Sequence, residues 1–120
     1  MTSDVTMYVG DYKILDISVV DENGAAVDVT NFSIRWGMSK SVSRAKLIEK
    51  TNDYDGGIIL VSGAPDKFQV IIEETDTEGF RSGDYYHEAE ITDVGGHPST
   101  VMSGTFTLLP TLLKPPAVSP

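Results

Sequence analysis

The sequence contains no cysteine. Disulfide frameworks, thiolate metal sites and cysteine nucleophiles are thereby excluded. No run of apolar residues approaches the roughly 18 that a membrane-crossing helix needs. The opening MTSDVTMYVGDY has neither the basic region nor the apolar stretch of a secretory signal, so we expect synthesis and folding in a cytoplasm. Positive charge is scarce too. Nine Lys and Arg face 18 Asp and Glu, for a net charge of -9, which speaks against binding a phosphate backbone. Only Lys40, Arg44, Lys46 and Lys50 cluster, either as a solvated loop or as a contact for an acidic partner protein. The nucleophile elbow, the zinc-protease His-Glu-x-x-His and the phosphate loop are all missing.

What is present is alternation. The chain has 120 residues, 40% of them apolar, enough for one small core. From Gly83 to Leu109 it reads as a hairpin, GDYYHEAEIT and STVMSGTFTLL joined by DVGGHP. Tyr85, His87, Ala89 and Ile91 alternate with Tyr86, Glu88, Glu90 and Thr92. Met102, Gly104, Phe106 and Leu108 alternate with Val101, Ser103, Thr105 and Thr107. Period two is the spacing of strands with unlike faces, and we take this hairpin as the central pair of a β-sandwich.

The rest of the chain fits the same plan. Residues 1–10 form an N-terminal arm or edge strand, with Val5, Met7 and Val9 alternating weakly. In 11–21, Tyr12, Ile14, Ile17 and Val19 suggest a strand, with Leu15 out of phase as at a bulge or in a strand buried on both faces. Asp21-Glu22-Asn23-Gly24 is a turn, followed by a short strand or extended segment over 25–30. Phe32, Ile34, Trp36 and Met38 mark an amphipathic strand, and Trp36, the one tryptophan, is a candidate core anchor. A loop then leads into a short strand at 46–50, a turn at 53–57, a buried strand at 58–61 and another through Phe68, Val70 and Ile72. Seven to eight strands, with a turn about every ten residues, predict an all-β immunoglobulin-like sandwich over 11–110, or else a small closed barrel. Residues 111–120 break the pattern. PTLLKPPAVSP holds four of the six prolines, which cannot donate to a ladder and favour an extended polyproline path. This segment is either a loose end or a Pro-rich extended arm carrying Leu112, Leu113, Pro115, Pro116 and Val118 to a neighbouring subunit.

Chemistry-bearing residues are sparse. His87 shares a face with Tyr85, Ala89 and Ile91, which places it at the core edge rather than in a catalytic site. His97 stands in a Gly-Gly-His-Pro turn and is expected in solvent. The acidic turns at Asp21 and Asp53 resemble fragments of calcium loops without the full ligand pattern, and acidic side chains favour turns on their own account. A glycosidase needs two carboxylates, but no pair is singled out. We therefore expect no catalytic residues, no metal and no cofactor. Tyr54, Phe80 and Tyr86 are candidates for stacking on sugar rings, and since Tyr85 and Tyr86 are adjacent, one of the two must point outward.

The order of motifs resembles a known family. In VVDENGAAVDVTNFSIRWGM, the residues Asp21, Gly24, Asp28, Val29, Thr30 and Asn31 stand where small phage virion domains carry a turn-and-strand opening. GGIILVSG resembles the next segment, and GDYYHEAEITDVGGHPSTVMSGTFTLLP the closing Gly-x-Tyr strand, Gly turn and Gly-x-Phe-x-Leu strand. Over most of 11–110 the chain resembles the N-terminal β-sandwich domain of tailed-bacteriophage baseplate upper proteins. No long helical or receptor-binding extension follows, which widens the expected place to tail, neck or capsid accessory. The resemblance implies a virion structural protein built from interlocking sandwiches and arms. It would act on other virion proteins and as a homo-oligomer within the particle, without nucleic acid or membrane. Val5, Met7 and Tyr8 in the lead arm join the tail residues as candidate contacts. The alternative function is a carbohydrate-binding module for host-surface recognition.

Overall fold

The structure, a computed structural model, describes residues 3–113. Its elements are β1 (Val5–Tyr8), β2 (Lys13–Ser18), β3 (Ser33–Ser39), β4 (Lys46–Thr51), β5 (Ile58–Val61), β6 (Ala64–Ile72), α1 (Glu74–Thr77), β7 (Gly83–Thr92) and β8 (Pro98–Leu109). A five-stranded sheet in the order β1-β8-β7-β3-β4 faces a three-stranded sheet in the order β2-β6-β5. All pairs are antiparallel except β1 with β8, which run parallel from Val5 opposite Phe106 to Tyr8 opposite Leu109. The N-terminal arm is thus an edge strand, and the β7–β8 hairpin lies inside the larger sheet.

Alternation decides which side chains make the core. Ile34, Trp36 and Met38 of β3, Phe68, Val70 and Ile72 of β6, and Met102, Phe106 and Leu108 of β8 all point into the gap between sheets. An aromatic side chain of this kind buries about 150–250 Å², worth roughly 4–6 kcal/mol at about 25 cal/mol per Å². Trp36 and Phe106, with ring centroids 6.0 Å apart, therefore anchor the centre.

Some expectations need correction. In β2 the inward residues are Leu15 and Ile17, continuing to Val19, while Tyr12 and Ile14 face solvent. The pairing with β6 runs unbroken from Lys13 to Ser18, so no bulge occurs there. Register shifts fall instead between β3 and β4, between β5 and β6, and in β8, where Glu90 pairs with Thr100 and Ala89 with Met102, leaving Val101 as a bulge. That bulge turns Val101 inward to pack on the core, against the alternation expected of it. Of the two alternatives for residues 25–30 the extended segment holds: Ala26 makes one isolated bridge to Val20, and Val27 N–H donates to the Val19 carbonyl. Finally β5 is mostly surface: Ile58 is buried but Ile59 and Leu60 are exposed, as on an edge strand.

The immunoglobulin plan brings two local devices with it. In that fold a buried tryptophan on the third strand packs against an inter-sheet cystine, and a tyrosine two residues before the second cysteine bonds back to the chain. Trp36 and Tyr85 occupy those two places. Tyr85 Oη donates to the Arg81 carbonyl at 2.8 Å. The place two residues on, where a cysteine would stand, is filled by His87.

Candidate functional site

The first place to look for chemistry is this histidine. His87 is fully buried, and both ring nitrogens are engaged. The Trp36 indole N–H can only donate, and it lies 3.0 Å from His87 Nδ1. Nδ1 is therefore the acceptor, and Nε2 carries the hydrogen that it donates to the Ser3 carbonyl at 2.7 Å. Burial pushes the imidazole pKa below its ordinary 6.5, opposed in part by the Ser3 carbonyl and the Asp4 charge. A neutral ring with two partners inside the core has no access to a substrate. It links the tryptophan of β3 to the segment leading into β1.

Gly104 makes that link possible. A Cβ on Gly104 would collide with the Ser3 carbonyl oxygen, so only glycine lets the N-terminal backbone come this close. Ser3 N–H donates to the Ser103 carbonyl at 2.8 Å, and Thr105 N–H donates to Asp4 Oδ1 at 3.0 Å. The edge strand is thereby held from its first described residue.

The basic cluster does not form a patch. Lys50 reaches Asp76 at 2.7 Å and is largely buried, tying β4 to α1. Lys46 pairs with Glu49 at 3.0 Å, and the Lys40 ammonium sits 4.7 Å from the centre of the Tyr85 ring. His97 is well exposed, with Nδ1 3.2 Å from Asp93 Oδ1. Among the described residues, no three His, Asp or Glu side chains gather as a metal ion would require.

One notch opens on the outer face of the larger sheet, above Gly37. Arg35, Ser39, Tyr86, Glu88 and Glu90 surround it, with Val42 and Arg44 from the β3–β4 loop. A side chain at position 37 would make only ordinary contacts, the nearest 3.5 Å away on Lys46, so packing does not demand glycine there. The walls are knit together. Arg35 Nε donates to Glu90 at 2.9 Å, and Tyr86 Oη donates to Glu88 at 2.5 Å. That bond to the carboxylate, aided by burial and the Glu88 charge, holds the Tyr86 phenol above its ordinary pKa of 10. At about 150 Å³ the notch is smaller than the roughly 300–1,000 Å³ of small-molecule sites, and its size suits a single side chain.

The three candidate sugar-stacking aromatics are not brought together. Tyr54 stands fully exposed on the β4–β5 turn, Tyr86 lines the notch, and Phe80 packs against the core, stacked on Tyr85 at 6.0 Å. The candidate contact residues separate as well. Met7 is buried and belongs to the core, and Val5 is half-buried against it. Tyr8 is 51% exposed, and it borders a shallow depression shared with Tyr12, itself 54% exposed, and Leu109. Leu112 and Leu113 follow just beyond, 94% and 90% exposed. Pro115, Pro116 and Val118 lie outside the described residues.

Sequence reasoning missed Tyr12 as an exposed contact, having grouped it with Ile14, Ile17 and Val19 as strand residues, and the engagement of His87 with Ser3. Tyr12 directly precedes the Lys13–Ser18 strand, and a test of both alternation phases there would have flagged it. Nothing local signals a contact across 84 positions. No family model matches this chain, and no curated protein matches it.

Proposed function

We propose that the chain is a non-enzymatic structural and assembly protein of a tailed-phage particle, working through contacts with copies of itself and with other virion proteins. One observation carries the reading. Tyr8, Tyr12, Leu112 and Leu113 are large, apolar and exposed at the end of the sandwich where β1 and β8 finish. Fully burying a leucine is worth about 1.5–3 kcal/mol, less the cost of ordering the arm, so a few such residues suffice for a specific contact. Both histidines and most of the cations, by contrast, are engaged within the domain. The resemblance to baseplate upper proteins points the same way. Deleting residues 111–120 is expected to leave a folded domain that fails to join its assembly. Normal incorporation of the truncated chain into particles would contradict the proposal.

A second reading, recognition of host-surface carbohydrate, draws support from the notch, where Tyr86 stands among Arg35, Glu88 and Glu90. Glycan-array binding that is lost in both Tyr86→Ala and Gly37→Val, the latter filling the notch, would favour it over the first.

A further inference from the structure

The end of the sandwich opposite the arms carries a second feature. The β2–β3 connection and the β7–β8 turn enclose an open cleft of about 690 Å³. Its wall is apolar: Val20 is half exposed, and Val27, Phe32 and the bulged Val101 are half-buried beside it. Its rim is mainly acidic, with Asp21 and Glu22 on one side and, on the other, Asp93 beside His97, whose Nδ1 lies 3.2 Å from the Asp93 carboxylate.

The two aspartates are held by turns of one design. Asp21 Oδ1 accepts from the N–H groups of Asn23 and Ala25 at 2.8 and 2.9 Å. Asp93 Oδ1 accepts from Gly95 and His97 at 2.9 and 3.0 Å. The glycines that close these turns, Gly24 and Gly96, have φ of 82° and 85°. The carboxylates are fixed at the cleft mouth while their charge still faces solvent.

We propose that this cleft receives the Leu112–Leu113 segment of a second copy of the chain, joined head to tail. The proposal rests on the assembly role argued above and names its contact. Two leucines exposed at 94% and 90% match an apolar wall in need of cover. Lys114, next in sequence, matches the acidic rim on a chain whose net charge of -9 opposes unguided self-association. Geometry excludes the chain's own arm. β8 starts at Pro98 beside the cleft and runs 12 residues to Leu109, about 40 Å at roughly 3.3 Å per residue. Leu112 and Leu113 lie only three and four residues further on, a reach of at most about 14 Å. A patch at one end that fits a different patch at the other gives a heterologous contact, which propagates into a ring or a filament.

The test mixes two variants. Leu112→Asp with Leu113→Asp spoils the arm; Val20→Lys with Glu22→Lys spoils the cleft, at exposed positions where circular dichroism should report an unchanged fold. In sedimentation velocity the full-length chain is expected to self-associate. Each variant alone should be monomeric, its association weakened at least about 100-fold by placing charge against an apolar contact. An equimolar mixture should form a one-to-one complex and nothing larger, because one intact arm meets one intact cleft. A full-length chain that stays monomeric to about 1 mM overturns the proposal. So does a variant that still associates, or a mixture that does not pair. If a peptide of residues 109–116 perturbs the notch above Gly37, or the Tyr8–Tyr12 depression, instead of the cleft, the contact is misassigned and the proposal falls. Incorporation of both variants into particles at wild-type levels would refute this contact, while the virion role stands or falls separately, with incorporation of the wild-type chain and of the chain lacking residues 111–120. Absence of the wild-type chain from particles would refute the role, while sedimentation still decides the contact.

Discussion

Replacing His87 with phenylalanine tests the buried link at the centre of the sandwich. The phenyl ring is somewhat larger than the imidazole, so no cavity is created and overpacking can only add to the loss. What disappears is the acceptor for Trp36 Nε1–H and the donor to the Ser3 carbonyl. Each buried polar group left without a partner costs about 1–3 kcal/mol, giving roughly 2–6 kcal/mol for the pair. Total stability is of order 5–15 kcal/mol, so His87→Phe should lower Tm by roughly 8–24 °C in a chain of this length. Combining it with Trp36→Phe removes the orphaned indole donor, so the double variant should lose less than the sum of the two single losses. Acidity supplies a second signature. Burial holds the folded pKa of His87 below its ordinary 6.5, so the unfolded chain takes up the proton first as pH falls. Its contribution is therefore complete above about 6.5 and declines as pH drops toward the lowered folded value, at up to about 1.4 kcal/mol per pH unit. Urea melts from pH 7.5 to 5 should show this decline in the wild type and lack it in His87→Phe. A variant within about 0.5 kcal/mol of wild type, with the same pH dependence, would refute the reasoning, since the bonds inferred at Nδ1 and Nε2 would then carry no energy.

Three further outcomes follow from the same structure. Gly104→Ala would set a Cβ against the Ser3 carbonyl and must displace it, breaking the Ser3–Ser103 and Ser3–His87 bonds. We expect a loss of about 2–4 kcal/mol and faster hydrogen exchange in residues 3–6; unchanged exchange would show that the segment is held otherwise. Tyr85→Phe deletes the bond to the Arg81 carbonyl while keeping the stack on Phe80, and should cost about 0.5–1.5 kcal/mol in urea unfolding. No cost at all would mean that the corner is held by packing alone. Asp76→Ala strands the largely buried Lys50 ammonium and should cost about 1–3 kcal/mol, part of it recovered by adding Lys50→Met. Failure of the second substitution to recover anything would place the loss in the α1 turn instead.

How much the sequence disclosed varied from strand to strand, for physical reasons. The β7–β8 hairpin was readable because its two faces differ sharply, with Phe106 and Leu108 against Thr105 and Thr107. β2 was misphased because apolar residues lie on both its faces, Leu15 and Ile17 in the core and Ile14 outside. A bulge shifts phase by one residue without any mark in composition, which is why Val101 was placed on the wrong side. Residues 25–30 carry the valines of a strand, yet Val29 caps the end of the core from a loop, its N–H donating to the Pro65 carbonyl. The acidic turns at Asp21 and Asp93 were each visible as turns, but their meeting across one cleft depends on how the two sheets stack. The parallel pairing of β1 with β8 joins residues about a hundred positions apart, and no local pattern encodes it.

The central claim is that this domain works by being held in a larger body. Quantitative mass spectrometry of purified particles, from the host cell that makes the chain, tests it most directly. The account predicts peptides of this protein in a fixed ratio to the other particle proteins, sharply reduced when Leu112 and Leu113 are both changed to Asp. Particles free of the chain, with the protein recovered as a solitary monomer, would contradict it.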